Sequence, residues 1–312
     1  MAAPTNTFKS TTAVGQREDL HDVIRMTDPT ECIIYSSMGE TKAKARKHEW
    51  LDRTLASPNG DNAALEGDTH TREAANNPSR REALCQISKK VYGVSATMEA
   101  VDKAGRESEL REQRLVKGIE LKRDLDKIMS SQQAQREESG SDARLTRGVA
   151  HYMATNVSRG AGGANAASLT AAATDGTQRA SSETILKAVL ATAVTNGVRV
   201  GRCKLFLAPL VKQTASGFAG RTAAQEIVKK GYIQGAASMY GSDFGDLELV
   251  LSLFHRTRDA LGIDPEHAKI AWLRRMQRST LPQDSDGQGE AVVCEYATEV
   301  HEKAHFGVFD LS

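Results

Sequence analysis

Five residues close to the C-terminus have the types and spacing of a zinc protease motif. His301, Glu302 and His305 belong to an H-E-x-x-H sequence, in which the two imidazoles hold Zn²⁺ and the glutamate acts as a general base. This chemistry requires a helix, because residues four apart then stand about 6 Å from each other on one face. If the segment is helical, the motif predicts a zinc-dependent hydrolase that uses these three residues.

The residues before the motif favour a strand instead. In EAVVCEYATEV, Cys294, Tyr296 and Val300 fall on one side at every second position, which is the period of a β-strand. Four extended steps would separate His301 from His305 by about 13 Å, too far for one metal ion. The sequence therefore favours a polar bend between two strand pieces. It predicts no catalytic, cofactor-binding or metal-binding residue, and the zinc hydrolase is the alternative.

Two further groups of residues are weak candidates for a site. Gly160, Gly162 and Gly163 do not have the spacing of a dinucleotide-binding or P-loop motif, so a flexible loop is the better interpretation. Asp243 and Asp246 lie in and beside GSDFG, where aspartate and glycine are also the residues that a tight turn requires. Neither group predicts a cofactor.

Composition argues against several classes of protein. The 312 residues include 41 Lys plus Arg and 40 Asp plus Glu, a net charge of +1, so no strong overall field attracts nucleic acid. The four cysteines are far apart and form no C-x-x-C pair, which favours a reducing compartment over a disulfide scaffold. The N-terminus is polar, and no apolar run is long enough to span a bilayer. We expect a soluble protein with no membrane partner.

The first half of the chain divides into an arm, a loop and a helix. The arm is polar as far as residue 47, with a short helix predicted at 17–26. Strand-like runs at 48–55 and 84–91 flank a long connection rich in Asn, Asp, Gly and Pro. This pattern predicts a projecting hairpin loop, which needs a neighbour because an isolated pair of strands is marginally stable. Residues 97–129 predict one helix about 45 Å long, capped by Ser95 or Thr97.

The second half of the chain predicts a compact α/β region. A helix is expected through 185–194, ending near Gly197, and a buried strand follows in CKLFLA. Another short helix, a strand at 227–240 and the GSDFG turn come next, and the returning strand has alternating leucines.

This order of parts resembles the major capsid proteins of tailed double-stranded-DNA bacteriophages, which share the Hong-Kong-type coat fold. The stretches similar to the SU-ten-like branch are VGQREDLHDVI, KHEW, AGRESELREQRLVKGIELKRDLD, NVSRGAGGAN, YGSDFGDLELV and EYATEVHEKAHFGVFDL. The resemblance implies an α+β fold with an N-terminal arm at 1–47, an extended β-hairpin loop at 48–94, a peripheral domain with a long spine helix at 95–163, an axial domain at 164–278, and C-terminal strands at 279–312 that return to the peripheral domain.

The function that the resemblance implies is architectural. Many copies would assemble as hexamers and pentamers into an icosahedral head shell that encloses double-stranded DNA without sequence-specific binding. The expected partners are other copies and decoration, portal and scaffolding proteins, with no cofactor and no enzymatic activity. The expected location is the virion, after assembly in the host cytoplasm. Because the sequence begins almost directly with the arm, we expect any scaffold to be a separate protein. An arm and a loop that cannot fold alone are explained if each lies on an adjacent subunit.

Overall fold

The computed structural model describes residues 26–69, 72, 74–218, 238–283 and 286–312. Apart from Met26, the helix predicted at 17–26 lies outside the described residues, as does most of the strand predicted at 227–240. In the described part of the chain, no helix is both long and apolar enough to cross a bilayer.

Strands outnumber helices along the described chain. The strands are β1 (Gly39–Lys42), β2 (Lys47–Asp52), β3 (Ser79–Leu84), β4 (Gln86–Ser95), β5 (Val157–Ser158), β6 (Lys204–Leu207), β7 (Met239–Ser242), β8 (Gly245–Leu251), β9 (Ala260–Ile263), β10 (Ala268–Thr280), β11 (Gly287–Val300) and β12 (Phe306–Val308). The helices are α1 (Ile33–Ser37), α2 (Ala96–Ala100), α3 (Glu109–Ser130), α4 (Val149–Tyr152), α5 (Glu183–Thr195) and α6 (Pro209–Ser216). This mixture fits the predicted α+β class.

One sheet has four strands in the order β1-β10-β11-β4. β1 runs parallel to β10, and the other neighbours are antiparallel. β11 is the strand predicted before the H-E-x-x-H motif, so that prediction is confirmed. Besides its two sheet neighbours, β11 contacts α3, α4 and the β2–β3 pair, and residues on both of its faces are buried. A projecting hairpin is also present, in which β2 pairs antiparallel with β3 as a separate two-stranded sheet. Its second strand was misplaced, because most of the run predicted at 84–91 belongs to β4, which pairs with β11 instead.

A second sheet has six strands in the order β5-β12-β9-β6-β8-β7. β6 is the predicted buried strand, and β7 and β8 form the hairpin predicted around GSDFG. In β8, Leu247 and Leu249 are buried and alternate with exposed residues, as the sequence predicts. β6 and β9 lie at the centre of the sheet, and their residues are buried almost throughout, without alternation.

The helix predicted over 97–129 is wrong as a single rod, because residues 101–108 separate α2 from α3. Within this interruption Gly105 has a φ of +74°, a left-handed conformation that glycine adopts at little cost. Ser108 then starts α3, since its hydroxyl accepts a hydrogen bond from the Arg111 backbone N–H. The spacing of charged residues in the sequence continues on both sides of residues 101–108, so this spacing does not indicate that the helix is interrupted.

Lys103 gives a physical reason for the position of the break. Its Nζ lies 2.9 Å from the carbonyl oxygen of Met98, 2.8 Å from that of Glu99 and 3.1 Å from that of Val101. The ammonium group thus satisfies carbonyls at the end of α2 that would otherwise lack partners. At the start of α2 the cap is Ser95, one of the two residues predicted for that role.

Each large sheet packs against a helix. α3 places Leu121, Leu125 and Met129 in the core beside the four-stranded sheet. α5 has apolar residues three and four positions apart, and its buried face packs against the six-stranded sheet. As predicted, α5 ends just before Gly197, which has a φ of +92°.

The sheet topology differs from the predicted domain boundaries at two points. The boundary at 278 falls inside β10, which pairs with β11 in the four-stranded sheet. β12 was expected to return with β11 to the peripheral domain, but it pairs with β9 and β5 in the six-stranded sheet. The chain therefore crosses between the sheets before β10 and again after β11. The alternation of residues in the sequence predicts where strands occur, but it does not predict which strands pair with each other.

Candidate functional site

The H-E-x-x-H segment is a short turn between two strands. β11 ends at Val300, a single 3-10 turn covers Glu302–Ala304, and β12 begins at Phe306. The predicted bend between two strand pieces is confirmed, although the backbone is not extended through the whole motif. The α-helix that zinc binding by this motif requires is absent from the segment.

His305 uses both ring nitrogens inside the protein. It is fully buried. Its Nδ1 accepts a hydrogen bond from the Asp264 backbone N–H at 3.1 Å, and its Nε2 donates to the His267 carbonyl oxygen at 3.2 Å. Burial lowers the pKa of His305 to about 3, so the ring is neutral. The lone pair that would bind a metal is therefore occupied by the Asp264 N–H.

His301 and Glu302 contact different partners. Nδ1 of His301 lies 2.5 Å from Oδ1 of Asp52, and its Nε2 lies 3.7 Å from Oε1 of Glu299. Glu302 accepts a hydrogen bond from the Thr155 hydroxyl at 2.8 Å, and its other oxygen lies 3.4 Å from Nη2 of Arg81. A catalytic glutamate would instead face a metal-bound water.

These three residues do not converge on one point suited to a metal. Across the described ranges, no group of three or more His, Cys, Asp and Glu side chains could hold a metal ion. The arrangement at His301, Glu302 and His305 thus does not fit the alternative of a zinc hydrolase, because it lacks the helix, a free imidazole nitrogen on His305 and a glutamate aimed at a shared point.

What the segment does instead is hold the base of the β2–β3 hairpin. His48 on β2 lies 2.9 Å from Glu299 on β11, and Asp52 on β2 contacts His301. Arg81 on β3 reaches Glu302.

We call these six side chains the hairpin clasp: His48, Asp52, Arg81, Glu299, His301 and Glu302. Trp50 lies between the clasp residues of β2, with its ring centroid 6.2 Å from that of Tyr152. The clasp joins the hairpin to the four-stranded sheet and to the turn that follows it.

The glycine-rich segment holds a carboxylate of the protein itself. The backbone N–H of Gly160 donates to Oδ2 of Asp310 at 3.0 Å, and Arg258 donates to Oδ1 at 2.6 Å. A Cβ at Gly163 or Gly176 would lie 3.0 or 2.9 Å from the same Oδ2. Asp310 is fully buried. After β5 the segment is a loop, as interpreted, and its glycines, with Gly176, give the room in which the carboxylate is bound.

Of the two aspartates at GSDFG, Asp243 lies in the β7–β8 turn and Asp246 lies in β8, where it pairs with Gly241. Ser242 and Gly245 are paired across the turn, and the Ser242 hydroxyl donates to the Gly245 carbonyl oxygen at 2.7 Å. Gly245 has a φ of +128°, which glycine tolerates far better than other residues. The geometry supports the turn interpretation for Asp243, and Asp246 is a strand residue directly after the turn.

Sequence reasoning missed Glu290, a buried acid at the centre of a side-chain network. It accepts hydrogen bonds from Tyr92, Arg114 and Arg278. A signal was present, because continuing the period-two pattern backwards puts Glu290 on the same side of β11 as the buried Val292. A charged residue at an apolar position of a strand indicates a buried ion pair.

Comparison with known proteins identifies the family. The model of the SU10 major capsid protein family matches residues 3–312. The chain belongs to this family. Its predicted α+β coat fold and its resemblance to phage major capsid proteins are thereby confirmed, and the zinc hydrolase has no support among the similar proteins.

Individual relatives are more distant. The major capsid protein of Escherichia phage Phieco32 is 33% identical over 135 residues, which are 43% of this chain and 38% of that protein. The alignment therefore spans well under half of that relative's length. Among solved structures, the capsid of Cyanophage P-SCSP1u is 10% identical with a TM-score of 0.56, covering 96% of this chain and 92% of the other. The capsid of a native GTA particle is 11% identical with a TM-score of 0.58, covering 97% of both chains. At such low identity these structures show the fold alone.

Proposed function

We propose that the chain assembles as hexamers and pentamers into the icosahedral head shell of a phage and encloses double-stranded DNA without sequence-specific binding. The observation that carries this proposal is the exposure of the hairpin loop. Every described residue in 53–77 is exposed, and Leu55 and Leu65 have 89% and 83% of their surface in contact with solvent.

In the described part of the chain, no surface covers residues 53–77 of this loop. The strands that flank them, β2 and β3, pair with each other and meet the body through the hairpin clasp. Leucines that remain solvated contribute no burial energy, whereas they contribute binding energy once another surface covers them. A second copy of the chain is the partner that a shell protein always has beside it. The proposal thus assigns the loop to contacts between copies.

Other partners are part of the same proposal. The capsid of Phage G, whose structure contains decoration proteins, is 11% identical to this chain with a TM-score of 0.51. Decoration, portal and scaffolding proteins are proposed as further partners of this chain. Its proposed location is the virion, and its proposed place of assembly is the host cytoplasm. The role is structural, without catalysis, cofactor, metal or membrane.

The proposed domains follow the sheets. The N-terminal arm comprises 1–47 and contributes β1 to the four-stranded sheet, and the extended loop comprises 48–94 and contributes β4 to it. The peripheral domain contains α3 and the rest of the four-stranded sheet, with β10 included. The axial domain contains α5, α6 and the six-stranded sheet, with β12 included. Support for this division comes from two core clusters. One holds residues of α3 and the four-stranded sheet together with Phe206, Leu261 and Ile263 of the six-stranded sheet, and the other holds residues of α5, α6 and the six-stranded sheet.

Sedimentation velocity and negative-stain microscopy of the full chain test the proposal. We expect regular shells or capsomers from the natural sequence. The double substitution Leu55→Ser and Leu65→Ser should shift the chain to smaller species with unchanged far-ultraviolet circular dichroism, because both residues are exposed in the single chain. Asn62→Ser, in the same loop, should assemble normally. A natural chain that stays monomeric under all assembly conditions would refute the shell, and normal assembly of the double variant would refute the role of the loop.

A further inference from the structure

The side chains of β2 that face the body form a regular row. His48, Trp50 and Asp52 are alternate residues, so all three point to the same side of the strand. That side lies against Glu299, His301 and Tyr152. The row therefore determines how firmly the hairpin is held.

His301 lies on the body, opposite this row, between two carboxylates. One carboxylate faces each of its ring nitrogens: Asp52, on the hairpin, faces Nδ1, and Glu299, on the body, faces Nε2. Only the protonated imidazolium can donate hydrogen bonds from both nitrogens at once. A neutral ring would donate to one carboxylate and present a lone pair to the other.

In the described part of the chain, the charged and titratable groups around this ring come from a small number of elements. Asp52 and His48 are on β2, Arg81 is on β3, and Glu299 is on β11. β10 contributes Lys269, and His267, just before β10, has its ring centroid 5.6 Å from that of His301. The turn contributes Glu302 and His305, and Arg147 interacts with Glu302. Arg81 already contacts both Asp52 and Glu302, and His305 is neutral. His48 contacts Glu299 as well, but His301 is the side chain whose two ring nitrogens face Asp52 on the hairpin and Glu299 on the body.

We propose that the β2–β3 hairpin is attached to the body by a proton-dependent contact, which is closed while His301 is protonated and weakened when this ring becomes neutral. The proposal concerns a single chain and does not rest on assembly.

The direction of the pH dependence follows from the contacts. The Glu299 carboxylate near Nε2, followed by the hydrogen bond to Asp52, outweighs burial and raises the pKa of His301 above its ordinary 6.5. Its stabilisation is therefore complete below pH 6.5 and is lost as the pH rises through the higher value in the folded chain. Contacts with His301 and His48 lower the pKa of Glu299 from 4.5 to about 2, so its contribution is present above pH 4.5 and is lost towards pH 2. The attachment is firmest in mild acid.

Trp50 allows a direct measurement. The sequence contains two tryptophans, Trp50 and Trp272, so Trp272→Phe leaves Trp50 as the only indole. Trp50 is 9% exposed, and its ring centroid lies 6.4 Å from that of His301. Acrylamide quenching of its fluorescence then reports whether the hairpin has lifted. In this parent variant we expect the quenching constant to rise severalfold between about pH 6 and about pH 9, across the range in which a histidine of raised pKa titrates.

Two substitutions in that background separate the proposal from a general effect of pH. His301→Gln should show high quenching at every pH in this range. His267→Gln should titrate like the parent, because this neighbouring histidine contacts neither Asp52 nor Glu299. Hydrogen exchange of peptides covering β2, compared with β10, gives the same answer in the natural chain if a variant does not fold. Constant quenching in the parent, or a His301→Gln variant that titrates like it, would overturn the proposal.

Discussion

Arg114 and Glu290 form a two-point contact between α3 and β11. Nε and Nη2 of Arg114 each donate to a different carboxylate oxygen of Glu290, both at 3.0 Å. The Tyr92 hydroxyl donates to the same carboxylate at 2.6 Å, and Nη1 of Arg278 donates at 3.2 Å. Burial raises the pKa of Glu290, but the hydrogen bonds from Tyr92 and Arg114 outweigh it and hold that pKa below its usual value. One carboxylate therefore joins α3 to β4, β10 and β11.

Glu290→Gln should lower the free energy of unfolding by about 2 kcal/mol, the scale of a hydrogen bond to a charged group. The amide keeps the shape of the side chain but loses the charge, and its NH₂ meets donors in place of an acceptor. Urea unfolding measures the change. Glu107→Gln is the matched control, since its ion pair with Arg111 is exposed and should contribute under about 0.5 kcal/mol. Equal effects of the two substitutions would contradict the central position of Glu290.

Local patterns in the sequence were sufficient for some elements and not for others. The alternation before His301 predicted β11 because a strand's period belongs to consecutive residues. The spacing of apolar residues before Gly197 predicted α5 for the same reason. The break at 101–108 was missed because Lys103 acts through its own side chain, which folds back on α2. That contact does not change the residue spacing from which the helix was predicted.

The hairpin clasp was beyond prediction for a different reason. Asp52 and His301 are separated by 249 positions in the sequence, and their contact depends on how β2 lies against β11. No sequence pattern links one of these residues to the other. The H-E-x-x-H motif lies in a segment that makes specific contacts, but these are not metal contacts. Two residues of the motif, His301 and Glu302, contact the hairpin instead. The absence of functional site residues stays a prediction.

Asp126 predicts a pH dependence of stability. Its Oδ1 accepts a hydrogen bond from the Tyr35 backbone N–H at 2.8 Å, which holds α1 against α3. Burial raises the pKa of Asp126 from 3.8 to about 6, and this outweighs the lowering by backbone N–H groups. The folded chain thus keeps a proton that the unfolded chain releases, and stability falls as the pH rises from about 4 to above 6.

Asp126→Asn should remove this fall, because the amide has no proton to lose in that range and still has an oxygen for Tyr35. Relative to the variant, the natural chain should lose on the order of 2 kcal/mol between pH 4 and pH 7. Denaturant unfolding at a series of pH values measures the difference. Asp124→Asn, on the same helix and half-exposed beside Lys90, should leave the fall in place. Parallel curves for Asp126→Asn and the natural chain would show that this carboxyl does not titrate as described.

Gly118 predicts a stabilising substitution. It lies inside α3, and a Cβ built there would meet no atom within 4 Å. Gly118→Ala should raise the free energy of unfolding by about 0.5–1 kcal/mol, because alanine loses less backbone entropy in a helix. Gly148→Ala should do the opposite, since its Cβ would overlap the carbonyl oxygen of Ser131. Thermal unfolding of both variants measures the contrast. Destabilisation by Gly118→Ala would mean that this face of α3 is covered in the free chain.

Gly176 lies where the glycine-rich segment approaches Asp310 closely. A Cβ at Gly176 would lie 2.5 Å from the carbonyl oxygen of Gly160 and 2.9 Å from Oδ2 of Asp310, which are both closer than ordinary contact. Gly176→Ala should therefore push the segment away, weaken the Gly160 N–H contact to this carboxylate and cost about 2 kcal/mol or more.

The control for this substitution is Gly201→Ala, where a Cβ would meet nothing within 4 Å and φ is not positive; it should change stability by less than about 0.5 kcal/mol. Urea unfolding gives both free energies, and hydrogen exchange at the Gly160 amide locates the damage. Because this amide donates to Asp310 at 3.0 Å, its exchange should accelerate in Gly176→Ala and stay unchanged in Gly201→Ala. A Gly176→Ala chain with natural stability and a protected Gly160 amide would show that the carboxylate does not need the room that glycine leaves.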